Sequence, residues 1–219
     1  MRALVRSGGF LLMLAGLVAC SSGAPAVPQP TETVHADNDR GAEVTTIRGT
    51  ATDPDEGGCL AEQSNAEAAA GHVDDGDPVV YAGVPPVSGR HWRTWPDIAK
   101  VFYVAEERPE LARLVHSQEH GWTFVWYDES VADDEQAMGE VQQVADDIEG
   151  LSKIAVVPWT VADGSTFPDG THVAVTHWTA TANKEGTEWR QFCAAANAPA
   201  VSAFTKRHPS ADAHEPYGP

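Results

Sequence analysis

Residues 109–127, PELARLVHSQEHGWTFVWY, decide the fold because the hydrophobic period changes inside them. Leu111, Leu114 and Val115 fall on one side of a 3.6-residue repeat, with Pro109 near the first turn and Gly121 as a stop. From Trp122 to Tyr127, Trp122, Phe124 and Trp126 alternate with Thr123, Val125 and Tyr127, the two-residue period of a strand. A helix running through His120 and a strand over 122–127 are therefore predicted.

The same mixture extends outward. Met138, Val141, Val144, Ala145 and Ile148 recur at helical spacing, which predicts an amphipathic helix over 134–149. Residues 155–158 and 172–178 read as strands, joined by a turn-rich loop containing Asp163-Gly164 and Asp169-Gly170. A last helical region is predicted from Glu185 past Cys193, restarting after Pro199 and ending near His208-Pro209. Upstream, residues 60–70 are good helix formers before Gly71, residues 79–82 suggest a short strand, and residues 101–105 a clearer one. Interspersed helices and strands imply the α+β class: one domain over 59–209, a mixed β-sheet packed against helices, with residues 210–219 a flexible C-terminal tail.

The N-terminus has export chemistry. Arg2 and Arg6 precede an apolar run from Phe10 to Ala19, too short to span a bilayer but suited to a secretory signal. The run ends in Leu17-Val18-Ala19-Cys20, which resembles a bacterial lipobox. The resemblance implies cleavage of a signal peptide over 1–19 and acylation of Cys20; an ordinary cleaved signal with an incidental cysteine, or a hydrophobic anchor, is the alternative. Residues 20–58 then read as a tether rich in Pro, Thr, Asp, Glu and Gly, with a short strand possible over 43–48. About 35 flexible residues span on the order of 30 Å, enough to hold a domain clear of lipid headgroups. The expected location is the outer face of the cell membrane, with the membrane contacted through the lipid.

Cysteine usage agrees with export. With Cys20 acylated, only Cys59 and Cys193 remain, and in an oxidising compartment they predict a disulfide, the alternative being two unpaired thiols. The full chain carries 14 basic and 32 acidic residues; without Arg2 and Arg6, 12 remain against 32, a formal charge of −20. Such a surface repels nucleic acid, whose binding needs clustered Lys and Arg.

Chemistry concentrates in histidines. On a helix, His116 and His120 lie one turn apart on one face with Glu119 beside them, so two imidazoles can reach one ion; on a strand, roughly 13 Å would separate them. His91 follows the stiff Pro85-Pro86 loop, whose restricted backbone lowers the entropy lost in fixing it. His116-Ser-Gln-Glu119-His120 also fits the H-x-x-E-H pattern of inverted zinc peptidases, in which the glutamate serves as base, but the large accompanying peptidase halves are absent. His172 and His177, five apart, would point to opposite faces of a strand, while His35, His208 and His214 read as solvated.

Gly71-His72-Val73, Tyr81, Pro85-Pro86-Val87-Ser88-Gly89-Arg90-His91, Leu114 through Gly121, and the strand ending in Trp126-Tyr127 together resemble domain-of-unknown-function family 3105. The resemblance covers roughly residues 71–209. Two departures are Gln118, where a leucine is usual, and Thr176-His177-Trp178, where Ala-Trp is usual. Members are secreted or membrane-anchored bacterial proteins, which agrees with the lipobox. The resemblance adds His72 to His91, His116 and His120 as imidazoles of one domain, with Glu119 a ligand or a partner fixing a tautomer.

Three functional classes follow. The first is an extracytoplasmic metal-binding lipoprotein; with Met138 at a core position and the cysteines oxidised, nitrogen ligands favour copper(II) or zinc(II), and copper(II) slightly. The second is a cell-envelope interaction module built on an exposed subset of Trp92, Trp95, Trp122, Trp126, Trp159, Trp178 and Trp189, with a cell-envelope protein as partner. The third is a metallohydrolase using Glu119. Metal binding without catalysis is the preferred expectation.

Overall fold

The computed structural model describes residues 58–219; the signal peptide, Cys20, the tether and His35 lie outside the described residues. Its main sheet contains β1 (Gln63–Ala66), β4 (Thr123–Tyr127), β5 (Ile154–Pro158), β6 (Val173–Ala180) and β7 (Gly186–Cys193), in the order β1-β7-β6-β4-β5. All pairings are antiparallel except β4 with β5. A separate parallel pair joins β2 (Gly71–Val73) to β3 (Arg90–Trp92). The helices are α1 (Leu111–Glu119), the short α2 (Glu129–Ala132), α3 (Glu135–Ile148) and α4 (Ala198–Arg207). The domain is thus α+β, with a mixed sheet between helices.

Strand alternation sends β4 side chains into two cores. Val125 and Tyr127 join Val156, Val173 and Val175 against Val141, Val144 and Ile148 of α3 and Val201 and Phe204 of α4. Phe124 and Trp126 point the other way and meet Ala155, Val157, Phe192 and Leu114 of α1. Every residue of β4 is buried because both faces are covered. Each large apolar side chain so removed from water contributes roughly 1.5–3 kcal/mol. Asp134 caps α3 by accepting from the Gln136 and Ala137 amides, in agreement with a helix beginning there.

Four sequence readings are corrected. Residues 60–70 contain strand β1 (Gln63–Ala66) and no helix. The Cys59–Cys193 disulfide pins this segment beside β7, and Gln63 pairs with Arg190 in the resulting register, so tertiary pairing overrides helix propensity. Residues 186–193 are strand β7 rather than helix: Trp189 and Cys193 reach one core and Phe192 the other, a two-residue alternation. Residues 79–82 form no strand, and the segment 101–105 contributes one bridge, Phe102 with Val156.

The fourth correction concerns the C-terminus. Residues 210–219 dock on the domain instead of trailing as a tail. Ser210–Asp212 makes a 3₁₀ turn, Ala213 is buried, and Lys153 Nζ donates to the carbonyls of His120, Pro216 and Gly218. His208 and His214 are correspondingly not free in solvent: their Nε2 atoms lie 2.6 Å from Glu62 and 2.7 Å from Glu67.

The Cys59–Cys193 disulfide predicted from composition is present and closes 134 residues of sequence. On the chain-entropy model such a loop contributes roughly 5 kcal/mol. Among the described residues no helix is long and apolar enough to cross a membrane.

Candidate metal centre

Three elements converge on one point. The parallel β2–β3 pair sets His72 directly opposite His91, and α1 packs against β3, bringing His116 and Glu119 to the same place. The ring centroids of His72, His91 and His116 form a triangle with every side 4.8 Å. One ligand atom from each of His72, His91, His116 and Glu119 lies within 4.8 Å of all the others. A tetrahedral ion with bonds of about 2.0–2.2 Å spaces its ligands roughly 3.3–3.6 Å apart, so a contraction of about 1 Å on the longest edge is sufficient.

The backbone sets the tautomers. His91 Nδ1 lies 2.8 Å from Gly89 O, and His116 Nδ1 lies 2.7 Å from Trp92 O. A carbonyl only accepts, so each Nδ1 carries the hydrogen and, in the neutral ring, each Nε2 keeps its lone pair. Gly89 holds φ at 115°, a conformation that disfavours a side chain and aims this carbonyl.

His91 Nε2 and Glu119 Oε2 are 3.1 Å apart, yet both are buried with no aligned hydrogen bond. With Nδ1–H fixed, two lone pairs face each other. Leaving such buried acceptors unsatisfied costs about 1–3 kcal/mol each, and a cation among the four donors removes that penalty. The residues therefore fit a metal ion, and this His/Glu cluster could hold one.

Electrostatics keep the set ready to coordinate. Burial pushes the His116 imidazole down to about 4; the Trp92 carbonyl opposes this, while positive charge at His91, His120 and His72 adds to it. His116 is thus neutral at pH 7. For Glu119, burial raises the carboxyl, but the His91 contact and the charges of His91, His72 and His116 outweigh it, leaving the group below its ordinary range and ionised. Three imidazoles and one carboxylate form a borderline nitrogen–oxygen ligand set.

His120 is the expected ligand that stands apart. It ends α1, where Gly121 turns the chain with φ 89° and donates its amide to Gln118 O, the helix stop read from the sequence. The His120 ring stacks on His116 at 4.8 Å, but its Nδ1 turns to Glu215 O at 3.1 Å in the docked C-terminal segment. Its Nε2 is also buried without a partner, but it lies outside the four-atom cluster. The pair on α1 that shares the cluster is His116 with Glu119, three residues apart, rather than His116 with His120. Likewise, His91 lies on β3 and not in a loop; the Pro85-Pro86 segment is tied to α1 instead, through Gln118 Nε2 donating to Pro86 O at 3.0 Å. Because Glu119 is within the ligand cluster and His120 outside it, the H-x-x-E-H pattern is not assembled as two histidine ligands with a separate base.

The remaining histidines have other partners. His172 lies 3.0 Å from Asp128, and buried His177 lies 2.9 Å from Thr123 Oγ1. Of the seven tryptophans, Trp126, Trp159 and Trp178 are core and Trp95, 45% exposed, packs edge-on to His116 and His120. No cluster of exposed tryptophans supports the interaction-module reading. Sequence reasoning missed the anchoring carbonyls of Gly89 and Trp92 and the contact from Glu215, since backbone acceptors leave no signal in side-chain identity.

One family model matches residues 72–217, two thirds of the chain. The chain belongs to the DUF3105 family, described as proteins of unknown function. Comparisons with curated proteins and with solved structures give no match. The DUF3105 match spans all four candidate ligands and continues through the docked C-terminal segment to residue 217, beyond the boundary near 209 suggested by residue patterns.

Proposed function

We propose that this DUF3105 protein is an extracytoplasmic lipoprotein that binds one copper(II) or zinc(II) ion through His72, His91, His116 and Glu119, in metal handling rather than catalysis. The observation carrying this reading is the pair of buried, unsatisfied lone-pair atoms, His91 Nε2 and Glu119 Oε2, facing each other inside a triangle of imidazoles. Met138 packs against the core and both described cysteines are bridged, so soft sulfur ligands are committed elsewhere. Nitrogen ligands then favour copper(II) over zinc(II). The cavities of about 530 and 600 Å³ beside the loop at 78–84 are lined by other residues, which supports ion handling over chemistry on an organic substrate at the cluster. Leu17-Val18-Ala19-Cys20 supports the lipid anchor, and the disulfide is consistent with an oxidising compartment.

Elemental analysis and calorimetry on untagged protein should find one ion per chain. A His91→Gln/His116→Gln double variant should lose it, while His172→Ala should keep it. Equal binding by the double variant would reduce the interaction to adventitious chelation. For the anchor, Cys20→Ala should release the protein from the membrane or block its maturation; unchanged detergent-dependent association would place the anchor elsewhere.

A further inference from the structure

The four ligands differ in how firmly they are held. The side chains of His91 and Glu119 are 0% and 13% exposed, and that of His72 is 41% exposed. Residue His116 is 2% exposed. His91 and His116 each have a ring nitrogen locked to a carbonyl, while the His72 ring has van der Waals neighbours but no hydrogen bond among the described residues. Its strand, β2, is three residues long and pairs only with β3, outside the main sheet. Its first residue, Gly71, immediately before His72, has φ 142° and no atoms crowding its Cβ direction. An exposed, unanchored side chain changes rotamer in picoseconds to nanoseconds, whereas a packed and hydrogen-bonded one needs its surroundings to open first.

Resting on the metal-binding reading above, we propose that His72 is the exchanging ligand: the ion enters and leaves on its side while His91, His116 and Glu119 retain it. The acceptor is a molecule presenting an imidazole or carboxylate, which takes the place vacated by His72. One metal–nitrogen bond breaks as one metal–donor bond forms, the imidazole leaves neutral, and no electron is transferred. The centre is therefore a transfer site rather than a closed structural one. A structural ion is enclosed by ligands that are all held.

The test uses full-length protein in detergent, loaded with zinc(II) alone and challenged with excess chelator in stopped flow. His72→Ala should still bind one ion but release it on the order of 10- to 100-fold faster, the scale typical when support for a metal site is removed. Millimolar free imidazole should restore slow release to His72→Ala by filling the vacated position, a rescue that a merely structural role would not show. Release from His72→Ala at the wild-type rate, absence of imidazole rescue, or loss of all binding by His72→Ala would each overturn the proposal. Failure of the wild-type protein to bind one ion would instead overturn the metal-binding reading beneath it.

Discussion

The molecule uses histidine–carboxylate contacts in two opposite ways. At the edge of the main sheet, His208 meets Glu62 at 2.6 Å and His214 meets Glu67 at 2.7 Å, both aligned as hydrogen bonds. Glu62 also receives Arg207, and Glu67 receives the Trp178 indole N–H. Under α1, His91 and Glu119 approach to 3.1 Å with both facing atoms unsatisfied. Residue types are the same; what differs is that the first two contacts are closed as hydrogen bonds, whereas in the third neither facing atom is satisfied and two further imidazoles converge on it. Histidine content alone therefore does not locate a ligand site, nor does one unpartnered ring nitrogen, since His120 and His177 have one too; the convergence of several donors at His91 and Glu119 does.

The largest effect expected is on that distinction. Replacing His91 and His116 together by Gln should lower affinity for copper(II) or zinc(II) by at least about 10³-fold, about 4 kcal/mol, in calorimetry. The corresponding His208→Ala and His214→Ala variants should leave one ion per chain. Loss of binding in the sheet-edge variants would erase the contrast.

Buried but uncharged histidine offers a second comparison. Burial pushes His177 down to about 4 from an ordinary 6.5; the charge of His208 adds to this, and the Trp122 and Pro209 carbonyls oppose it. The unfolded chain thus takes up this proton at higher pH than the folded one. His177 imposes no penalty above pH 6.5, and stability is progressively lost as pH falls from 6.5 toward 4. The full window is worth about 3 kcal/mol. Urea unfolding of metal-free protein at both ends of that range should show the loss, and His177→Gln should diminish it by most of this amount.

Two smaller effects sharpen the roles of the supporting contacts. His208→Ala should destabilise by about 2 kcal/mol, because it removes the Glu62 hydrogen bond and the stacking on Trp189 at 4.2 Å, without changing metal affinity. Gly121→Ala should destabilise by about 1 kcal/mol in thermal unfolding: φ is 89°, and a Cβ would lie 2.5 Å from Ser210 O of the docked C-terminal segment. A stability unchanged by Gly121→Ala would show that this segment yields without penalty.

Much was legible before folding. The periods of α1, α3, β4, β5 and β6 follow from their own apolar spacing, and the disulfide was expected from the count of cysteines and the export expected of the N-terminus. All four clustered residues were among the candidates: His91, His116 and Glu119 from residue chemistry and spacing, and His72 from the family resemblance. His120 was included with them because helical spacing alone cannot reveal how its ring is turned once Nδ1 meets Glu215 O, almost a hundred residues away, which leaves its Nε2 outside the cluster.

The sequence by itself determined the class of the fold, the stop at Gly121, the likeness to DUF3105 and the donor types available to an ion. Those properties are local, depending on residue identity, spacing and backbone freedom within a few turns. Only the tertiary structure decided that residues 63–66 and 186–193 pair as strands, that residues 210–219 close over the end of α1, and that His72 replaces His120 beside His91. These outcomes depend on which distant backbone groups satisfy each other, and the ring nitrogen left without a partner is fixed only after that pairing is complete.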